Sequence, residues 1–109
     1  MTDKATHARN QRQYKLMLER LEQFENDEIG LRRLIDDLSG LLGALNDIDE
    51  EWNDEFERTW GVLEDVYAGA LSSGYKTLPD EDRKLIWTAV DKLAEMVKPR
   101  VEPKPEDNA

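Results

Sequence analysis

The chain has 109 residues, 39% of them hydrophobic and 37% charged, and its 25 acids against 15 bases give a formal net charge of −10. That length supports one domain with a modest core, too small for the large α/β enzyme folds, and its aliphatic and aromatic content predicts packing rather than global disorder. Zero cysteine excludes disulfides, thiolate metal sites and cysteine nucleophiles. No apolar run approaches the roughly 20 residues of a membrane span. Residues 1–13 are polar and lack a signal-peptide core, so the expectation is a soluble, cytoplasmic protein with no membrane partner.

The periodicity is helical nearly everywhere. Tyr14, Met17, Leu18, Leu21 and Phe24 recur at spacings of three and four, which predicts a first helix over residues 8–26. Leu31, Leu34, Ile35, Leu38, Leu41, Leu42 and Leu45 predict a second over 31–46. Gly30 stands as its N-cap, and Ile29 and Leu34 are placed to clip over its first turn. Trp52, Phe56, Trp60, Leu63, Tyr67, Ala70 and Leu71 line one face of a third helix, over 49–73. Its acidic start suits the positive end of a helix dipole, and Gly74 follows its last turn. Leu85, Ile86, Ala89, Val90, Leu93, Met96 and Val97 give a fourth, over 80–98, opened by Pro79 and closed before Pro99. No segment alternates as a strand does. Residues 99–109 contain three prolines and little that is apolar, and are expected to form a disordered tail. The expected fold is all-α, an antiparallel four-helix bundle over residues 1–98. The alternative is a three-helix core with a loosely attached first helix.

Charge is unevenly spread. Residues 1–20 carry five bases (Lys4, Arg9, Arg12, Lys15, Arg20) against two acids, whereas residues 21–70 carry 15 acids against three bases. An acidic centre repels nucleic-acid backbones and favours basic partners. No cofactor is implied. His7 is the single histidine, so neither a Ser-His-Asp triad nor a Glu-x-x-His di-iron site can be assembled. Asp47-Ile48-Asp49 begins like a calcium loop but has no glycine at the required sixth position. Glu50-Glu51-Trp52-Asn53-Asp54 resembles the first motif of all-helical nucleotide pyrophosphohydrolases, without a second carboxylate pair downstream to share the metal. The chain is therefore expected not to be an enzyme.

Three features could carry binding. Asp47, Asp49, Glu50, Glu51, Asp54, Glu55 and Glu57 place seven acids in eleven residues, more than helix capping requires. Capping and neutralisation by Arg9, Arg12 and Lys15 is the structural alternative to a docking surface. Gly40 and Gly43, beside Asp36 and Asp37 on the back of the second helix, each cost about 0.8–1 kcal/mol relative to alanine. They fit a close backbone approach by a partner or a second copy, or plain tolerance. Trp87 falls beyond the edge of its helix's apolar arc, where it is either an interface anchor or margin packing.

The run from Leu31-Arg32-Arg33-Leu34-Ile35-Asp36-Asp37-Leu38 through Trp52, Phe56, Trp60-Gly61-Val62-Leu63-Glu64 and Val66-Tyr67-Ala68 resembles small acidic all-helical bacterial proteins of uncertain role. Some of those look like toxin-immunity proteins. The resemblance spans residues 29–97 and rests mostly on core positions. It implies a cytoplasmic antitoxin-like inhibitor that binds a basic toxin domain and does no chemistry. The alternative is a self-associating structural or regulatory protein, for instance a homodimer.

Overall fold

The structure is a computed structural model and describes residues 4–74 and 78–102. Four helices follow in order: α1 Lys4–Glu25, α2 Leu31–Gly43, α3 Glu50–Ser73 and α4 Asp80–Val97, with a 3-10 turn at Lys98–Arg100. No strand occurs among the described residues. Each helix packs on its chain neighbours, and α1 also meets α4, so the four close into a ring, with Trp52 of α3 reaching across it to the Tyr14 ring of α1. Short connections between successive helices make the ring antiparallel. The α1–α2 and α3–α4 pairs pack most extensively, and the α1–α4 seam least. Because α1 buries Tyr14, Met17 and Leu21 against the rest, the three-helix alternative does not hold.

The core is the sequence stripes brought together. Met17, Leu34, Leu38, Phe56, Leu63, Val90, Leu93 and Val97 are completely shielded from solvent. Each such side chain contributes about 1.5–3 kcal/mol on burial. Two tryptophans at its edge also tie helices together. The Trp60 indole N–H donates to the Ile35 carbonyl of α2 at 2.9 Å, and that of Trp52 donates to the Met96 carbonyl of α4 at 3.1 Å.

Helix ends follow local chemistry. Gly30 caps α2 from an extended conformation (φ −84°, ψ 171°), with Ile29 and Leu34 both buried behind it. Gly74 ends α3 in the left-handed region at φ 68°, where a Cβ would be strained. The end of α1 reaches the same geometry without glycine. Asp27 sits at φ 62°, while the Glu28 N–H returns to the Gln23 carbonyl (2.8 Å) and the Asp27 N–H to that of Phe24 (3.1 Å). Aspartate is among the few side chains that tolerate this region.

Three boundaries differ from the expectation. First, α1 starts at Lys4 instead of residue 8, because Thr6 and Asn10 are buried and continue the Tyr14 stripe at i−8 and i−4 with polar residues. Second, α2 stops at Gly43 instead of residue 46. Leu45 turns back into the core, and the Asn46 backbone is taken up by α1 (below). Third, the expected disordered tail from Pro99 is ordered as far as it is described. Pro99 and Arg100 complete the 3-10 turn, Val101 packs against the core, and Glu102 hydrogen-bonds to α1. Residues 103–109 lie outside the described residues.

Candidate interaction surface

The start of α3 sets the geometry. Asp49 is its N-cap, and its side chain accepts from the Glu51 N–H at 3.3 Å. From the first helical residue on, Glu50, Asp54 and Glu57 stand at i, i+4 and i+7 and are exposed. They therefore share one face of α3, opposite the side that buries Phe56, Thr59 and Leu63. The same face continues through Gly61 to Glu64, flanked by Asp65, both acids exposed. From Glu50 to Asp65 the acidic face is about 22 Å long at the rise of an α-helix. Glu51 is exposed beside it, and Asp47, at φ 52°, precedes it in the α2–α3 loop.

Among the described residues, none of Asp47, Asp49, Glu50, Glu51, Asp54, Glu57, Glu64 and Asp65 takes part in an ion pair. Nor do Arg9, Arg12 and Lys15 neutralise the run, although α1 and α3 begin at the same end of the bundle. Glu55 stands apart from its neighbours in sequence. Its carboxylate turns toward α4, where it meets the Lys92 ammonium, and it also pairs with Arg58 at 2.8 Å. The hydrogen bond from Lys92 holds the Glu55 carboxyl below its ordinary range. Asp36 and Asp37 are likewise engaged. Asp36 pairs with Arg32 at 2.9 Å, and Asp37 with Arg20 of α1 at 3.0 Å and Arg33 at 3.5 Å. Of the acids singled out in the sequence, then, three are ion-paired within the fold, Asp49 caps α3, and the other five are exposed without an ion pair among the described residues. The sequence reading missed Glu64 and Asp65; the i+7 spacing of Glu64 from Glu57, with both acids at i+3 and i+4 from Gly61, was the signal.

At the same end lies a cleft of about 330 Å³, lined by His7, Gln11, Tyr14, Asp47 and Arg100 among others. Two consecutive α1 amides build its walls. The Asn10 Nδ2 donates to the Asn46 carbonyl at 2.6 Å, and the Asn46 N–H donates back to Asn10 Oδ1 at 3.0 Å. The Gln11 Nε2 donates to the Arg100 carbonyl at 2.7 Å, and the Glu102 N–H donates to Gln11 Oε1 at 2.9 Å. His7 Nε2 lies 2.7 Å from Glu102 Oε1, and the Arg100 guanidinium sits 4.5 Å from the centroid of the Trp52 ring.

Gly40 and Gly43 are exposed, and nothing would lie within 4 Å of a Cβ at either. Among the described residues, no element uses the close approach that they permit. Trp87 is 42% exposed, and its ring lies 5.4 Å from that of Phe24 at the end of α1. It thus combines margin packing with an open face. Among the described residues, Leu71 (64% exposed) and Leu85 (51%) are the other large apolar side chains open to solvent, on the half of the bundle away from the cleft. Replacing Trp87 with alanine is expected to cost about 1–2 kcal/mol in urea unfolding, because only one flank of the ring is packed. A loss of about 3 kcal/mol or more would assign it to the core.

No group of three or more His, Asp or Glu side chains among the described residues converges as metal ligands would. No helix among them is long and apolar enough to cross a membrane. No protein-family model, curated protein or solved structure matches this chain.

Proposed function

We propose that this chain is a non-enzymatic protein-binding module that docks a basic partner on the acidic face of α3, in the manner of an immunity protein blocking a toxin domain. The observation that supports this reading is the face itself. Glu50, Asp54, Glu57 and Glu64 run along one side of a helix, and among the described residues none of them meets a cation in an ion pair. Like charges at i, i+3 and i+4 spacings destabilise a helix by about 0.2–0.5 kcal/mol a pair; the helix dipole offsets this for Glu50 in the first turn but not for Asp54 and Glu57 beyond it, which an external counter-charge would suit. Uncompensated charge on a rigid helix steers an oppositely charged protein before contact and fixes the register of the complex. The toxin as partner rests on the resemblance of residues 29–97 alone. A cytoplasmic location and a bacterial source belong to that same reading.

Two measurements test it. Coexpression with basic toxin domains encoded beside this chain should restore growth. The triple variant Glu50→Lys, Asp54→Lys, Glu57→Lys should lose that rescue while keeping its helical circular dichroism. With the protected partner in hand, the triple variant should slow association at least about ten-fold at low salt and flatten its salt dependence. Association unchanged at low salt would remove the α3 face from the proposal. Self-association is the second reading, and the open Leu71, Leu85 and Trp87 favour it. A mass that rises with concentration in sedimentation, without any other protein, would support it.

A further inference from the structure

We infer that the seat on Gln11 and Trp52 that receives the chain's own residues 98–102, along one wall of the cleft, is a docking groove for a basic peptide segment of the same shape, a tight turn that runs out into extended backbone. This rests on the proposed function, a basic partner at this end of the bundle, and adds what that partner presents and what it must displace. The occupant shows what the groove reads. Pro99 turns the chain out of α4, and Lys98 and Arg100 make the segment basic within a molecule of net charge −10. Gln11 grips the carbonyl of Arg100 and the N–H of Glu102, the two backbone groups that flank Val101. An amide paired in this way recognises extended backbone of any sequence, because every such chain offers the same acceptor and donor. Specificity comes from the neighbouring seats. Trp52 offers a flat ring to the guanidinium of Arg100, and Val101 packs on the core. Asp47 lines the same cleft and adds negative charge. The groove therefore fits a basic residue that ends a tight turn, followed by an aliphatic one in extended backbone.

The segment is also built to leave. It carries no fully buried side chain, and its polar contacts with Gln11 and His7 are exposed or half-buried. Segments of that kind open at the low end of the local stability range. A partner segment of like chemistry could take the seat without unfolding α4, whose last turn stays tied to Trp52 through the Met96 carbonyl. The partner's affinity would then be reduced by the fraction of molecules in which the chain's own segment is seated.

The test uses the full chain and a labelled peptide, acetyl-Lys-Pro-Arg-Val-Glu-amide, in fluorescence anisotropy. The variant Arg100→Ala with Val101→Ser weakens the internal occupant and leaves the groove intact, so it should bind the peptide at least ten-fold more tightly than the wild type. Adding Gln11→Ala to that variant should lose at least ten-fold again, and a peptide with glutamate in place of arginine should not bind. Equal affinity in wild type and variant, or binding by neither, overturns the inference. As a readout that needs no variant, saturating peptide should accelerate hydrogen exchange at the Glu102 amide of the wild type; unchanged exchange likewise overturns it. The Lys substitutions on α3 leave Gln11 and Trp52 in place. Failure of peptide exchange with partner steering intact would therefore sink the groove alone.

Discussion

Phe56→Ala is expected to cost about 3–5 kcal/mol of folding stability, a large share of the roughly 5–15 kcal/mol that holds a domain together. Phe56 has no exposed surface and stands at the end of a chain of rings. Its ring lies 5.2 Å from that of Trp52, which meets Tyr14 of α1 edge-on at 5.7 Å. Trp52 also holds the end of α4 through its indole N–H and supports Arg100. Truncating Phe56 opens a cavity beneath Trp52, which touches α1, α4 and the C-terminal segment together. Neighbours tied by hydrogen bonds collapse poorly into such a space, which places the cost toward the upper end of the range. Phe56→Leu retains most of the volume and should cost no more than about 1.5 kcal/mol. Urea unfolding followed by tryptophan fluorescence separates the two, and a loss under about 1.5 kcal/mol for the alanine variant would mean that this end of the bundle is not close-packed.

Phe56 and its neighbours were legible in the sequence because the signal there is apolar and periodic. Leu34, Leu38, Leu63, Leu93 and Val97 were read as core from their spacing, and Gly30 and Gly74 as helix boundaries from their chemistry. The rest failed for identifiable reasons. Thr6 and Asn10 extend a buried stripe with polar residues, so the helix expected from hydrophobic periodicity begins about one turn too late. The seven acids between Asp47 and Glu57 were visible as a run, but sequence does not say which of them finds a base. Glu55 turns to Lys92, 37 positions away, and only helix packing decides that. Asp37 is likewise taken by Arg20, a partner from another helix. The outward acids at Glu64 and Asp65 were within reach of the same periodicity argument that found the core, applied to the opposite face. Nothing local in Lys98–Glu102 announces that Arg100 rests on Trp52. A proline-rich, charged end looks the same whether or not a groove receives it.

Asn10 is the polar residue on which this end of the bundle most depends, and Asn10→Ala is expected to cost about 2–3 kcal/mol. The amide lies in the core stripe of α1, buried, and makes a donor and an acceptor bond to the backbone of Asn46. Alanine removes both bonds and leaves the Asn46 groups short of partners. Each bond contributes about 0.5–1.5 kcal/mol, with a further penalty for whichever group stays shielded from water. The loop it clamps turns α2 into α3 and carries Asp47 in its left-handed conformation, so a loosened loop would also blur the start of the acidic face. Asn10→Asp separates the clamp from simple packing. A carboxylate can still accept from the Asn46 N–H, but it faces the Asn46 carbonyl oxygen with no proton to give. The protonated acid can donate there as the amide does. Its folded-state pKa should therefore rise above the ordinary value of about 3.9. A raised pKa contributes stability that is complete below the unfolded-state pKa and is lost as pH rises through the folded one. Relative to wild type at each pH, Asn10→Asp should thus be least destabilising near pH 3–4 and should lose stability toward about pH 6. A deficit independent of pH across that window would mean that Asn10 fills space at this position rather than holding the loop by its two hydrogen bonds.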